Sequence, residues 1–190
     1  MDEPNTNGAA PSARLEDRPA QAYLGISCPV THGVPTAVDG AFPRLFARLG
    51  ELGVPPAAPP LIRFQLIDPG GEPLLLEVAV PVAAHPGDGA GPAPAAGADG
   101  GPALVACTLP AGRYAISEHV GAYRSETERD LADARAELVA WMDARGLVHR
   151  RATADGWALA CAFEQFWVGP VDEPDHHRWR TTLAFLVEEA

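Results

Sequence analysis

The sequence predicts an α+β domain made of two similar strand-helix-strand-strand units, and three observations lead to it. A short phrase recurs: Pro19-Ala20-Gln21-Ala22-Tyr23 and Pro110-Ala111-Gly112-Arg113-Tyr114 each open a strand-like run. Behind each run come apolar residues at helical spacing, then two further strand-like runs. A stretch dominated by Ala, Gly and Pro, residues 83–104, separates the two units.

The first unit spans residues 18–82. AYLGISC is its opening strand. Phe42, Leu45, Phe46 and Leu49 then mark a helix, with Asp39 as the expected N-cap and Gly53 just past the end. LIRFQLID and LLLEVAVPV follow as strands, joined by a turn at Asp68-Pro69-Gly70-Gly71.

The second unit spans residues 105–190. RYAISEHV opens it. Ser125 and Glu128 read as a capping box for a longer helix, with Leu131, Ala134, Leu138 and Met142 as its buried stripe. Trp141 flanks that stripe and Gly146 stops the helix. Glu126, Arg129, Asp133 and Glu137 form a solvated face. WALACAFEQFWV and RWRTTLAFLV complete the unit. Two such units pair into one curved antiparallel sheet with both helices on one side. The opposite, concave side is the expected ligand groove.

Residues 1–17 read as a disordered tail and residues 83–104 as a flexible linker, because neither buries enough apolar area to offset its ordering entropy. The net charge of −11 repels phosphate backbones, so direct nucleic-acid binding is not expected, and cationic ligands are weakly favoured. The three cysteines, odd in number and without a CxxC, indicate reduced thiols in a cytoplasmic protein. The start lacks a signal-peptide pattern, and no apolar run approaches the roughly 18 residues of a membrane helix. P-loop, zincin and nucleophile-elbow motifs are absent, and no cofactor or metal is expected. His176-His177 reads as a surface pair.

Glu164 is the most informative residue, in Cys161-Ala162-Phe163-Glu164-Gln165-Phe166-Trp167. Strand alternation puts Ala162, Glu164 and Phe166 on one face, with Phe163 and Trp167 under the helices on the other. Beside Phe166 on a concave sheet, Glu164 would be partly desolvated. It then serves either as the ionised partner of a cationic ligand or as a protonated general acid; the plain alternative is a solvent-facing glutamate. Tyr114, His119, Tyr123, Trp179 and Phe64 are further candidates for lining the site. His119 reads either as a proton shuttle or as a strand-end hydrogen bonder. Tyr114 lines the groove or sits half-buried in its strand. Trp179 walls the ligand or closes a sheet edge.

Leu109-Pro110-Ala111-Gly112-Arg113-Tyr114-Ala115 with Glu118-His119-Val120-Gly121-Ala122-Tyr123 resembles the phrase LPAGRYAV…HxGpY of the GyrI-like family. Phe163-Glu164-Gln165-Phe166 is similar to that family's F/W-E-x-Y strand, and Trp179-Arg180-Thr181-Thr182 to its W-R-T-E close. The family is similar in turn to the multidrug-binding domains of AraC-type and MerR-type regulators. The resemblance implies a pseudo-twofold pair of units with a ligand groove between them, and Glu164 as the pocket glutamate that meets cationic aromatic drugs. It also implies a hydrolytic alternative, since some relatives hydrolyse cyclopropane-bearing toxins with a pocket glutamate.

Departures from the family pattern favour binding over catalysis. Phe166 stands for the family tyrosine, Thr182 for an acidic residue, and Gly169-Pro170 for a D-P turn. The expected function is therefore stand-alone binding or sensing of a small hydrophobic or cationic aromatic ligand, with no room before Pro19 for a DNA-binding helix-turn-helix. The alternatives are a hydrolase using Glu164 and a gyrase-inhibitor type of protein-interaction module. Haem binding is a distant further option.

Overall fold

A computed structural model describes residues 13–85 and 103–189. The strands of the first unit are β1 (Arg14–Arg18), β2 (Gln21–Pro29), β3 (Leu61–Ile67) and β4 (Pro73–Pro81). Between β2 and β3 lie a one-turn helix, α1 (Val34–Val38), and the longer α2 (Ala41–Leu52). The second unit has β5 (Leu104–Leu109), β6 (Gly112–Val120) and α3 (Leu131–Asp143). Short β7 (Leu147–Val148) and β8 (Arg150–Ala152) precede β9 (Trp157–Val168), β10 (Arg180–Leu186) and β11 (Glu188–Glu189).

Eight strands form one antiparallel sheet in the order β1-β6-β10-β9-β3-β4-β2-β5, and β8 adds to β9. The chain path makes this sheet curl. β1 lies at one end and β5 at the other, yet only residues 19–20 join β1 to β2 and only residues 110–111 join β5 to β6. Two residues span only a few ångströms, so the two ends of the sheet must approach each other. The repeated Pro-Ala phrase is this corner, made once in each unit. The units meet at β3 and β9, where Ile62 pairs with Glu164 near the centre.

Two cores result. Outside the curl, α2 buries Ala41, Leu45 and Leu49, while α3 buries Leu131, Ala134, Leu138 and Met142. Both helices pack on Leu24, Ile26, Phe64, Leu76, Val78 and Leu183. Inside the curl, Tyr23, Leu61, Tyr114, Ile116, Cys161 and Phe163 close on one another.

Five expectations change. Residues 14–17, placed with the tail, belong to β1, which pairs with β6 from Arg14 opposite Ile116 to Arg18 opposite Gly112; the rest of the tail lies outside the described residues. Leu104, placed in the linker, starts β5, while residues 86–102 lie outside the described residues. The cap of α3 is Asp130, whose carboxylate accepts from Ala132 and Asp133 N–H groups, and Asp133 accepts in return from Asp130 N–H. Ser125 instead stabilises the preceding turn, its Oγ accepting from the Thr127 and Glu128 N–H groups. Helix α2 begins after Gly40, in the left-handed region at φ 69°, so Asp39 ends α1 rather than capping α2. Lastly, the face carrying Glu164 is the one beneath the helices. Phe163 faces the interior of the curl, and that concave side is filled with side chains rather than open.

Candidate functional site

The site grows from β9, which is central in the sheet and flanked by β10 and β3. Glu164 lies opposite Leu183 on one side and Ile62 on the other. It is 3% exposed. A carboxylate so placed is costly unless paired.

Its partner comes from α3. Arg135 follows Ala134 of the buried stripe, so its long side chain reaches inward along the sheet while its head meets Glu164. Nε and Nη2 of Arg135 donate to the same oxygen, Oε1, at 2.9 and 2.6 Å. The guanidinium also lies over the Phe64 ring, 4.8 Å from its centroid. Burial pushes the Glu164 carboxyl above its ordinary 4.5, and the Arg135 charge and hydrogen bonds partly offset this.

A row of aromatic rings continues from Glu164. Phe166, two residues on and on the same face, meets Phe42 of α2 edge-on at 6.3 Å and Tyr123 at 5.2 Å. Tyr123 in turn lies 4.6 Å from Trp179. The Trp179 indole N–H donates to the Glu173 carbonyl at 2.7 Å, which fixes the ring plane. Burial raises the Tyr123 hydroxyl pKa to about 12, so it remains a neutral donor at physiological pH.

One cavity lies beside Arg135 and another at the Trp179 end of the row. The first, of about 310 Å³, is lined by Phe64, Arg135, Val139, His149, Leu159 and Phe185, among others. Its size and mixture of rings with a few polar groups suit a small organic molecule. His149 stands edge-on to Phe185, and burial lowers its pKa below the ordinary 6.5. The other, about 570 Å³ and open to the surface, includes Tyr123, Ser125, Glu128, His177 and Trp179 in its wall.

Of the seven expected site residues, Glu164, Phe166, Phe64, Tyr123 and Trp179 come together on the helix-bearing face. His119 is close by but engaged at both ring nitrogens. Arg129 Nη1 donates to Nδ1 at 2.9 Å, so the ring proton sits on Nε2 and is donated to the Ala122 carbonyl at 3.0 Å. Tyr114 lies inside the curl against Phe163, with its hydroxyl donating to the Pro110 carbonyl at 2.8 Å. It is thus on the other side of the sheet from Glu164.

Sequence reasoning missed Arg135 and the role of Arg129. Arg129, on the face whose charges mark it as solvated, joins His119 to Glu137, its Nη2 2.6 Å from that carboxylate. Neither arginine carries a local signal, because an arginine beside an apolar stripe reads as exposed. Also missed was a polar cluster inside the curl. There Tyr23 Oη donates to Glu77 at 2.5 Å and accepts from Arg63 at 2.6 Å. As for metals, Glu128, His176 and His177 bring ligand atoms within 4.8 Å of one another, all exposed, and could hold one. No described helix is long and apolar enough to cross a membrane.

No family model matches this sequence, and no curated protein does. Solved structures do. The C-terminal domain of EcmrR superposes with a TM-score of 0.63 at 14% identity, covering 95% of this chain and 99% of that one. In the EcmrR–DNA complex the match has a TM-score of 0.67 at 15% identity and covers 95% of this chain but 58% of the EcmrR chain. SAV2435 bound to tetraphenylphosphonium matches with a TM-score of 0.55 at 14% identity, covering 93% and 94%. A hydrolase encoded by lin2189 from Listeria innocua gives 0.50 at 14% identity, covering 95% and 94%. The curled sheet, its two long helices and these superpositions agree with the sequence resemblance, and the chain has the fold of the GyrI-like small-molecule-binding domains.

Proposed function

We propose that this chain binds a small hydrophobic molecule, cationic aromatic ones included, in the groove centred on Glu164. One observation carries the reading. A buried carboxylate sits on the central strand β9, held by an arginine that lies over Phe64, and Phe166 two residues on begins a row of rings that runs through Tyr123 to Trp179. Arg135 places both of its donors on Oε1, and among the described residues Oε2 accepts no hydrogen bond. A hydrogen-bond donor on a ligand would find that oxygen, and a cation would compete with Arg135 for the carboxylate. Phe64, Phe166, Tyr123 and Trp179 would supply apolar contact and flat faces for aromatic groups. His119 would act at one remove by fixing the 119–123 turn that presents Tyr123.

The same fold holds tetraphenylphosphonium in SAV2435, which supports a ligand of this class here. Phe166 lacks the hydroxyl that the family strand would provide, which favours binding over turnover.

The test is a thermal-shift panel of cationic aromatic dyes and neutral hydrophobic compounds against wild type, Glu164→Gln and Trp179→Ala. A ligand that binds the folded state raises the melting temperature by mass action. Glu164→Gln should reduce the shift for cationic compounds that stabilise the wild type, and Trp179→Ala the shift for aromatic compounds that reach the Tyr123–Trp179 end of the row. A panel in which stabilised variants match the wild type compound for compound would overturn the reading.

A further inference from the structure

We propose that Arg135 is a specificity-determining residue, a built-in cation that fills the charge seat of the groove and biases it toward uncharged hydrophobic ligands. The inference rests on the reading of Glu164 as the centre of the groove and states what that groove selects.

The geometry of Arg135 is that of a bound cationic ligand. Its guanidinium is paired with the buried carboxylate at 2.6 Å and stacked 4.8 Å above an aromatic ring. Those are the two interactions an aromatic-lined anionic site offers a positive charge. The seat is therefore neutralised from within. The Arg135 side chain is 27% exposed, against 5% for that of Glu164, so the guanidinium can turn toward water while the carboxylate stays largely buried.

A cation that enters must first displace this arginine. An uncharged molecule can use the cavity lined by Phe64, Val139, Leu159 and Phe185 with the ion pair left intact. The difference in affinity between the two classes then reflects the work of breaking the Arg135–Glu164 pair. The other arginines around the groove do not take this role. Arg129 is engaged with His119 and Glu137, and Arg150 lies over Trp157, 5.2 Å from the ring centroid.

The test compares tetraphenylphosphonium with the uncharged triphenylmethanol by quenching of tryptophan fluorescence. The proteins are wild type, Arg135→Met, Arg135→Gln, Arg135→Lys and the double variant Arg135→Met/Glu164→Gln. Arg135→Gln keeps hydrogen-bond donors without the charge and guards against a folding defect in Arg135→Met. Circular dichroism selects the folded variants. Wild type should bind triphenylmethanol at least as tightly as tetraphenylphosphonium. Removing the charge should raise tetraphenylphosphonium affinity at least tenfold more than it raises triphenylmethanol affinity. Arg135→Lys should remain near wild type, and the double variant should lose the gain.

Equal gains for both probes would make Arg135 a steric cover and overturn the inference. So would a folded, uncharged variant that gains nothing for the cation while wild type binds it through Glu164; the groove reading would then stand alone. Absence of binding of either probe to any folded protein would overturn the groove reading together with this one.

Discussion

Arg135 and Glu164, 29 residues apart in sequence, join helix α3 to the central strand β9 through two hydrogen bonds that converge on one carboxylate oxygen. The pair ties the helix to the strand, and burial of its carboxylate, partly offset by Arg135, sets the pH behaviour of Glu164. The folded-state pKa of Glu164 lies above its ordinary 4.5, so the folded state holds the proton more tightly than the unfolded chain does. The associated stability is complete below that ordinary value and is lost as pH rises through the folded-state value. Glu164→Gln cannot titrate. Its stability relative to wild type should therefore improve between pH 4 and pH 7, as read by urea denaturation at both. A difference independent of pH would contradict the assigned burial.

The cap of α3 should titrate in the opposite sense. Hydrogen bonds from the Asp133, Ser125 and Ala132 N–H groups outweigh burial and hold the Asp130 carboxyl below its ordinary 3.8. Its contribution is present above that value and lost as pH falls through the lower folded-state value. Asp130→Ala should cost about 1 kcal/mol at neutral pH, and the deficit should shrink in strong acid. Ser125→Ala should have a smaller effect, since Ser125 stabilises only the preceding turn. Chemical denaturation of the two variants ranks them.

Inside the curl, Tyr23→Phe should destabilise by about 1–3 kcal/mol, because it strips one hydrogen-bond partner from buried Glu77 and one from Arg63. The substitution is on the far side of the sheet from Glu164. Thermal denaturation should register the loss, while ligand affinity per folded molecule should stay within about twofold of wild type, about a third of the 1.4 kcal/mol that a tenfold change represents.

Gly156 should resist substitution. It has φ 147°, and a Cβ there would lie 2.1 Å from the Ile67 carbonyl oxygen at the start of the β3–β9 pairing. Gly156→Ala should cost at least about 1–3 kcal/mol from backbone strain alone, visible as a lowered melting temperature. Gly50→Ala, in α2 with open space around it, serves as the control and should be neutral or slightly stabilising.

How far the sequence reached depended on whether the signal was local. The recurring Pro-Ala-x-x-Tyr phrase, the strand alternation and the apolar stripe of α3 are short-range patterns, and the fold class followed from them. Which sheet face lies under the helices is a long-range property. Both faces of β9 are apolar, Phe163 on one and Ala162 and Phe166 on the other, so alternation alone could not orient Glu164. The same limit hid Arg135, whose partner is fixed by the crossing of α3 over the sheet. It also hid β1 and β5. These strands pair with the opposite unit, Arg18 with Gly112 and Leu109 with Gln21, and their sequences next to polar or low-complexity stretches carry little strand signal. Tyr114 and Glu164, expected around one groove, lie on opposite sides of the sheet for a related reason: alternation orders the faces within a strand but does not relate the faces of one strand to those of another.

The proposed ligand site lies on the helix-bearing face at Glu164 rather than inside the curl. Amide chemical-shift mapping by NMR, with triphenylmethanol titrated into the full chain, tests it most directly. The account predicts shifts concentrated at Ala162 to Phe166, Arg135 and neighbouring α3 residues, Phe64 and Tyr123. Shifts confined to Arg18, Gln21, Leu109, Tyr114 and Trp167, around the small cavity on the other face, would contradict it.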